Sequence, residues 1–232
     1  MAAFGFVRPY SAAPAGGPTK VWFVGDSEMR GMIYIPETDS WECRGGLRPH
    51  VWAALTEAGA DPDFRGHLLN SDDGVADAGH SHSGANGAHG TVWQSSYFDT
   101  YAPALFPTPA DAPHVVGIAV GTNDADDAAT ATDFSRLMDK AASYFPRANI
   151  LFATAPRTAT PGTFDAQAAQ VRIEVAARRA AGMNVRLVDV HGIALRAADF
   201  SDGVHGSDAG YAKIGALWAR ELLNVVAPRF LG

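Results

Sequence analysis

Residues 114–121 read H-V-V-G-I-A-V-G, an apolar and largely β-branched run that decides the fold class. A run of this kind is typical of a strand that is buried on both faces, as the strands of parallel sheets are. A second such strand is predicted at residues 19–25, which read T-K-V-W-F-V-G. Shorter strands are predicted at residues 64–69, 149–154 and 185–190. The chain is therefore expected to form a sheet of five strands.

Stretches of helical length separate these strands. In residues 45–58, Leu47, Val51 and Leu55 recur at the spacing that places them on one face of a helix. The other predicted helices are residues 134–145, 164–181 and 211–226. Strands that alternate with helices pair in parallel through right-handed crossovers. We therefore predict an α/β fold, a three-layer α/β/α sandwich around a five-stranded parallel sheet.

Composition indicates one domain with a sizeable core. Of 232 residues, 47% are hydrophobic and 19% are charged. We expect a flexible segment at residues 1–18, which is rich in Ala, Gly and Pro, and a single domain at residues 19–232. The net charge of -7 disfavours a nucleic-acid partner. We expect a monomer.

Cys43 is the one cysteine, so no internal disulfide is possible, and we interpret its side chain as a small hydrophobe. The sequence holds no run of ~18 apolar residues and so predicts no membrane-spanning helix. Residues 1–17 lack the charged and apolar regions of a signal peptide. Either the protein is cytoplasmic or a signal has been removed, and secretion is the favoured expectation.

Three polar motifs lie where a parallel sheet binds its ligands, beyond the carboxyl ends of strands. The first is Gly25-Asp26-Ser27, directly after the first strand. Ser27 would lie at the start of a helix, where backbone N–H groups and the helix dipole favour an oxyanion beside the hydroxyl. The alternative role of Ser27 is that of a simple helix N-cap.

The second motif, Gly121-Thr122-Asn123-Asp124, follows the strand at residues 114–121. The amide N–H of Asn123 can point at the same oxyanion, and the alternative is a turn with local backbone bonds. The third motif is Asp202-Gly203-Val204-His205, before the last helix. A carboxylate on one ring nitrogen of a histidine fixes its tautomer, and the other nitrogen can then face a serine. The alternative is a capping Asp and a surface His.

In this order the motifs resemble those of the SGNH hydrolases, also called the GDSL esterase/lipase family, over nearly the whole domain. The resemblance implies a flavodoxin-like fold and a serine esterase that works through an acyl-enzyme without a cofactor. It makes Ser27 the nucleophile, His205 the base and Asp202 the group that orients His205. The implied oxyanion hole consists of the N–H groups of Ser27 and Gly84 and the amide of Asn123, with Gly87 as the competitor for Gly84.

The chain departs from the family pattern after the nucleophile. Glu28-Met29 stands where the family commonly has an apolar residue and Thr, which alters the surroundings of Ser27 but not its chemistry. A finer resemblance rests on L-R-P at residues 47–49, D-F at residues 63–64 and H-S-G at residues 82–84. These are similar to carbohydrate esterase family three, which removes acetyl groups from xylan and related sugars.

The substrate itself is predicted less directly. The expected substrate-binding residues are Asp26, His82 and Arg157, with Trp41 or Trp93 as further candidates for the rim. A polar entrance would suit a carbohydrate ester with a short acyl group, and an apolar entrance would suit a lipid, thioester or polyester. The protein is expected to bind a small-molecule or polysaccharide ester.

The polar segment at residues 70–90 offers a rival chemistry. Its histidines and aspartates are candidate metal ligands: His80, His82, His89, Asp72, Asp73 and Asp77. The alternating histidines are a plausible chelator, and the aspartates do not match the EF-hand loop; we interpret the segment as a polar loop over the active site and predict no metal. Two other classes stay open: a non-catalytic carbohydrate-binding protein and a metal-dependent hydrolase.

Overall fold

The computed structural model describes residues 17–68, 83–84, 90, 93–158, 160 and 162–226. Its strands are β1 (Thr19–Gly25), β2 (Met32–Ile35), β3 (Ser40–Cys43), β4 (Pro62–Arg65), β5 (Ser83–Gly84), β6 (Val115–Ala119), β7 (Asn149–Ala153) and β8 (Val185–Val188). Its α-helices are α1 (Ser27–Arg30), α2 (Arg48–Glu57), α3 (Phe98–Leu105), α4 (Ala128–Tyr144), α5 (Asp165–Ala180) and α6 (Asp208–Val226). A π-helix, Trp93–Tyr97, leads into α3.

The central sheet is parallel, with the strand order β4-β1-β6-β7-β8. This confirms the predicted α/β fold and its five parallel strands. The two-residue strand β5 also pairs with β1, at its carboxyl end, where Gly25 lies opposite Gly84. The strand order reverses between β1 and β6, because the chain leaves β1 towards β4 and returns on the other side. Such a switch point opens a crevice beyond the strand ends.

The side chains of β1 show why both faces of the sheet are covered. Val21 and Phe23 belong to a core cluster that the helices α2 and α6 complete. Trp22 and Val24 point to the other face and join a cluster with α3, α4 and α5. All four side chains are fully buried. The unbroken apolar run at residues 21–24, within β1, is therefore the sequence signature of the middle layer of the sandwich.

Several predicted boundaries shift in the structure. The strand predicted at residues 64–69 is β4, Pro62–Arg65, and it ends four residues earlier than expected. The helix predicted from residue 134 begins at Ala128, because Asp127 caps it by accepting a hydrogen bond from Thr130 N at 2.7 Å. Residues 128–132 read A-A-T-A-T, so the first turn carries no apolar periodicity.

The hairpin of β2 and β3 and the helix α3 are among the elements that were not predicted. The antiparallel hairpin of β2 and β3 follows the nucleophile turn and is largely half-buried or exposed. Cys43 in this hairpin is half-buried, and its thiol lies 3.1 Å from Met32 Sδ. The helix α3 contains Pro103, a residue that normally ends a helix.

Some expectations concern residues that fall largely outside the described part of the chain. They include the flexible segment at residues 1–18, of which residues 17 and 18 alone are described, and most of the loop at residues 70–90. Among the described helices, none is long and apolar enough to cross a membrane.

Candidate active site

A tight turn after β1 presents Ser27. Gly25 packs so closely on β6 that a Cβ there would lie 2.2 Å from Ala119 O. Asp26 caps the single-turn helix α1 by accepting a hydrogen bond from Glu28 N at 3.0 Å. The helix ends at Gly31, whose φ of 82° lies in the left-handed region. Since α1 has one turn only, its dipole contributes less to an oxyanion than the sequence suggested.

Ser27, His205 and Asp202 form a continuous chain of hydrogen bonds. His205 Nε2 lies 2.8 Å from Ser27 Oγ, and His205 Nδ1 lies 2.9 Å from Asp202 Oδ2. Ser27 is 6% exposed, and the side chains of His205 and Asp202 are partly open to solvent. The structure thus brings together the three residues that were predicted as nucleophile, base and orienter.

The surroundings of Asp202 keep it ionised. Its Oδ1 accepts hydrogen bonds from the N–H groups of Val204 at 2.9 Å and His205 at 2.7 Å. Partial burial by itself would raise the pKa of Asp202, but the hydrogen bonds from the His205 ring and these N–H groups hold it below its usual value. A carboxylate in this position orients the imidazole and stabilises the imidazolium.

The loop after β6 is fastened to the nucleophile turn. Thr122 donates its hydroxyl to Asp26 Oδ2 at 2.7 Å, and Thr122 N lies 3.4 Å from the same oxygen. The side-chain amide of the buried Gln167 donates a hydrogen bond to Gly121 O at 3.2 Å. Asn123 is the next residue of this loop. Its role as an oxyanion donor stays a prediction.

Gly84 lies against the nucleophile turn, as its predicted role requires. It pairs in parallel register with Gly25, and a Cβ on it would come within 2.6 Å of Arg30 N and 3.0 Å of Asp26 O. Only a residue without a side chain permits this approach. The competing residue, Gly87, is outside the described residues.

Asp26 was predicted to bind substrate, but the structure places it beneath the site. The residue is 1% exposed, and each of its carboxylate oxygens accepts a hydrogen bond from the protein. Burial raises the pKa of Asp26 to about 6, against the opposing effect of the hydrogen bonds from Thr122 and Glu28. The geometry gives Asp26 a positioning role between two loops.

Arg157 and His82 were the other predicted substrate-binding residues. Arg157 lies after β7, where its Nε is 3.2 Å from His191 Nε2 and 3.9 Å from Asp165 Oδ1. Its side chain is 60% exposed, so contact with a substrate stays a prediction. His82 and the candidate metal ligands of the loop fall outside the described residues.

Two further residues lie beside the site: Trp41, which was one of two candidates for the rim, and Glu28, which was assigned no role from the sequence. The ring of Trp41, on β3, packs edge-on against the His205 ring with centroids 4.9 Å apart, and it is 47% exposed. Glu28 is buried directly after the nucleophile. The departure at Glu28 was visible in the sequence, but its contacts were not. The contact of Trp41 joins positions too far apart in the chain for any spacing rule to find.

The comparisons with known proteins agree with this geometry. A profile of the GDSL-like lipase/acylhydrolase family matches residues 24–213. No curated protein matches the chain. Among solved structures, a family 3 carbohydrate esterase of Clostridium thermocellum is similar with a TM-score of 0.75 and 25% identity, over 91% of this chain and 98% of that chain.

Two further solved structures share the fold. A family 3 carbohydrate esterase from Talaromyces cellulolyticus has a TM-score of 0.73 and 19% identity, over 90% of this chain and 99% of that one. An inhibitor-bound aryl esterase of M. smegmatis has a TM-score of 0.62 and 15% identity, over 89% of this chain and 99% of that one.

Proposed function

The chain belongs to the GDSL-like lipase/acylhydrolase family and is a carboxylic ester hydrolase, and from this premise we propose that Ser27 is its nucleophile and an acetylated carbohydrate its substrate. The observation that carries the proposal is the hydrogen-bonded chain from Ser27 Oγ through His205 to Asp202, at 2.8 and 2.9 Å.

The proposed reaction begins when His205 Nε2 takes the Ser27 proton and Ser27 Oγ attacks the ester carbonyl carbon. Negative charge then moves to the carbonyl oxygen, which the N–H groups of Ser27 and Gly84 and the amide of Asn123 stabilise. The C–O bond to the alcohol breaks, and His205 returns the proton to the departing alcohol. Water, activated by His205, then hydrolyses the acyl-enzyme and releases the acid.

Trp41 supports a sugar on the alcohol side of the ester. Its half-exposed ring borders His205, the residue that must reach the leaving oxygen. Tyr34 packs on it with centroids 5.3 Å apart and donates its hydroxyl to Asp39 at 2.6 Å. Aromatic faces beside polar groups suit sugar rings, which present C–H faces and hydroxyl edges. The 25%-identical solved structure is a carbohydrate esterase, which favours the same substrate class.

The test combines substrate profiling with covalent labelling. We expect purified protein to hydrolyse acetylated xylobiose and p-nitrophenyl acetate, to be indifferent to EDTA, and to prefer the acetate over an eight-carbon ester. A sulfonyl fluoride should inactivate it and label the peptide that contains Ser27, as read by mass spectrometry. Faster turnover of the long ester would redirect the substrate to a lipid or polyester. Labelling elsewhere, or loss of activity in EDTA, would contradict the serine mechanism.

Trp41→Ala should lower selectivity for the sugar ester. We expect the ratio of kcat/KM for acetylated xylobiose to that for ethyl acetate to fall roughly 3–10-fold, because an aromatic contact contributes about 0.5–1.5 kcal/mol. Trp41→Phe should restore most of the ratio. Ile173→Ala, at a residue that is 59% exposed on α5, serves as the control. An unchanged ratio in Trp41→Ala would remove Trp41 from the sugar site.

A further inference from the structure

Glu28 is an acidic residue in an unusual place. It follows the proposed nucleophile directly, and it is 6% exposed. Burying an ionised carboxylate costs far more than burying a neutral carboxyl group. The chain therefore holds a group beside its active site that the proposed reaction does not use.

The carboxyl of Glu28 lies between the nucleophile turn and the segment that carries the base. The hydrogen-bonding groups that face it are the Gly206 N–H, one residue after His205, and the Tyr211 hydroxyl on α6. Tyr211 has one O–H, which it donates to Met32 O at 2.8 Å. A hydrogen bond between Tyr211 and Glu28 therefore takes its proton from Glu28. With the Tyr211 proton held by Met32 O, this arrangement favours the neutral acid.

The remaining surroundings also disfavour charge on Glu28. Among the residues that the structure describes, its Oε1 has no hydrogen-bond partner. It lines a small cavity together with Asp26, Thr122 and Trp218. An ionised oxygen there would be left without compensation.

The carboxylates around Glu28 also disfavour its ionised form. Asp26 faces it from the same turn, and Asp202 faces it from the segment before α6. Arg48 of α2 donates to two backbone carbonyls near the same turn, Met29 O at 3.2 Å and Arg30 O at 3.4 Å. Burial, followed by the charges of Asp26 and Asp202, raises the pKa of Glu28 well above 4.5 and outweighs the contacts with Tyr211 and the Gly206 N–H, which act in the opposite direction.

We infer that Glu28, in its neutral form, is a positioning residue that links the Ser27 turn to the Gly206 N–H and Tyr211 and so sets the distance between Ser27 Oγ and His205 Nε2. The inference rests on the proposed serine mechanism. Ionisation of Glu28 would break its bond to Tyr211 and place a third carboxylate beside Asp26 and Asp202. The link would loosen, and the Ser27–His205 hydrogen bond would lengthen.

This predicts a decline of kcat at alkaline pH, where a serine esterase whose histidine is already neutral otherwise gives a plateau. Tyr211 does not account for such a decline, because burial raises its pKa well above 10.0. Asp26 titrates near 6 and is already charged at alkaline pH. Glu28→Gln carries the donor and the acceptor of the neutral acid and cannot ionise. It should therefore keep its plateau at pH values where the wild-type kcat falls.

The experiment measures kcat and KM for p-nitrophenyl acetate from pH 5 to pH 10. At pH 6.5 we expect Glu28→Gln to stay within about 3-fold of the wild-type kcat, and Glu28→Leu to lose roughly 30-fold or more in kcat with little change in KM. Tyr211→Phe, which keeps the ring, should lose roughly 3–10-fold in kcat, because the bond to Glu28, of about 1 kcal/mol, is lost together with the bond to Met32 O. Glu57→Gln, at an exposed residue of α2, is the matched control.

The pH dependence of the Tm is a second test of the neutral form of Glu28. The folded protein holds the Glu28 proton more tightly than the unfolded chain, so its stabilising effect is complete below pH 4.5 and is lost as pH rises through the folded pKa. The Tm of wild type should therefore fall relative to that of Glu28→Gln between pH 5 and pH 9, and the difference should vanish near pH 4.

The possible failures are distinguishable. If Ser27→Ala retains turnover, the proposed serine mechanism is wrong. If Ser27→Ala is inactive but Glu28→Gln shows the wild-type alkaline decline, or folds and loses activity as Glu28→Leu does, the inference about Glu28 is overturned. If Glu28→Leu does not fold, the pH profile of Glu28→Gln and the kcat of Tyr211→Phe decide the question.

Discussion

Replacing Ser27 by Ala should lower kcat for p-nitrophenyl acetate by on the order of 10⁴-fold or more. The substitution removes the attacking oxygen but leaves the bond between His205 and Asp202, at 2.9 Å, in place. Binding groups and oxyanion donors would remain, so KM should change little. The measurement is steady-state kinetics of the purified variant, with Tm recorded to show that it is folded.

The double variant Ser27→Ala/His205→Ala sharpens this prediction. Residues that act as one unit are not additive, so the second substitution should cause almost no further loss. Ser143→Ala, at an exposed serine of α4, is the matched control and should behave as wild type. Turnover that survives in Ser27→Ala would sink the central proposal and favour a metal-dependent hydrolase based on the loop at residues 70–90.

Gly84→Ala should have the next largest effect, a loss of roughly 10²–10³-fold in kcat. The new Cβ would lie 2.6 Å from Arg30 N, 2.9 Å from Met29 C and 3.0 Å from Asp26 O. These are backbone atoms of the nucleophile turn, which cannot move aside as the tip of a side chain does. Either the turn or β5 must shift, and both carry proposed oxyanion donors. Kinetics with p-nitrophenyl acetate measures the loss.

Gly84→Ala should also lower the free energy of unfolding by roughly 1–3 kcal/mol, because it inserts a methyl group where backbone atoms are already in close contact. Chemical denaturation measures this change. Gly17→Ala is the control, since a Cβ at Gly17 meets no atom within 4 Å. A Gly84→Ala variant with near-wild-type kcat would leave the oxyanion role to another glycine, such as Gly87.

The strands of the central sheet could be predicted from the sequence because burial on both faces requires consecutive apolar residues. The run at residues 19–25 predicted β1, Thr19–Gly25, with both of its bounds. The hairpin of β2 and β3 left no such trace, since its strands are short and mostly half-buried or exposed. The helix α3 was not predicted because it contains Pro103, and a proline inside a helix is normally unfavourable.

In the candidate site, too, some features could be predicted from the sequence and others could not. Ser27, Asn123, Asp202 and His205 stand in motifs whose members are neighbours in the chain, so the motifs and their resemblance to the SGNH hydrolases could be found in the sequence. The supporting contacts could not. Trp41 reaches His205 and Glu28 faces Tyr211 across most of the chain, and only the packed fold brings these pairs together. The contact between Asp26 and Thr122 could not be predicted for the same reason, since 96 residues separate them.

The hydrogen bond between Ser27 and His205 joins positions that are 178 residues apart. Closing so large a loop is entropically costly, and it rewards the chain only after the strands and helices between them have assembled. No partly folded species that lacks the docked last helix, α6, can hold the nucleophile and its base together. During refolding, fluorescence of the buried Trp22 should therefore recover before hydrolysis or together with it. Hydrolytic activity reports that the whole chain has reached its native topology.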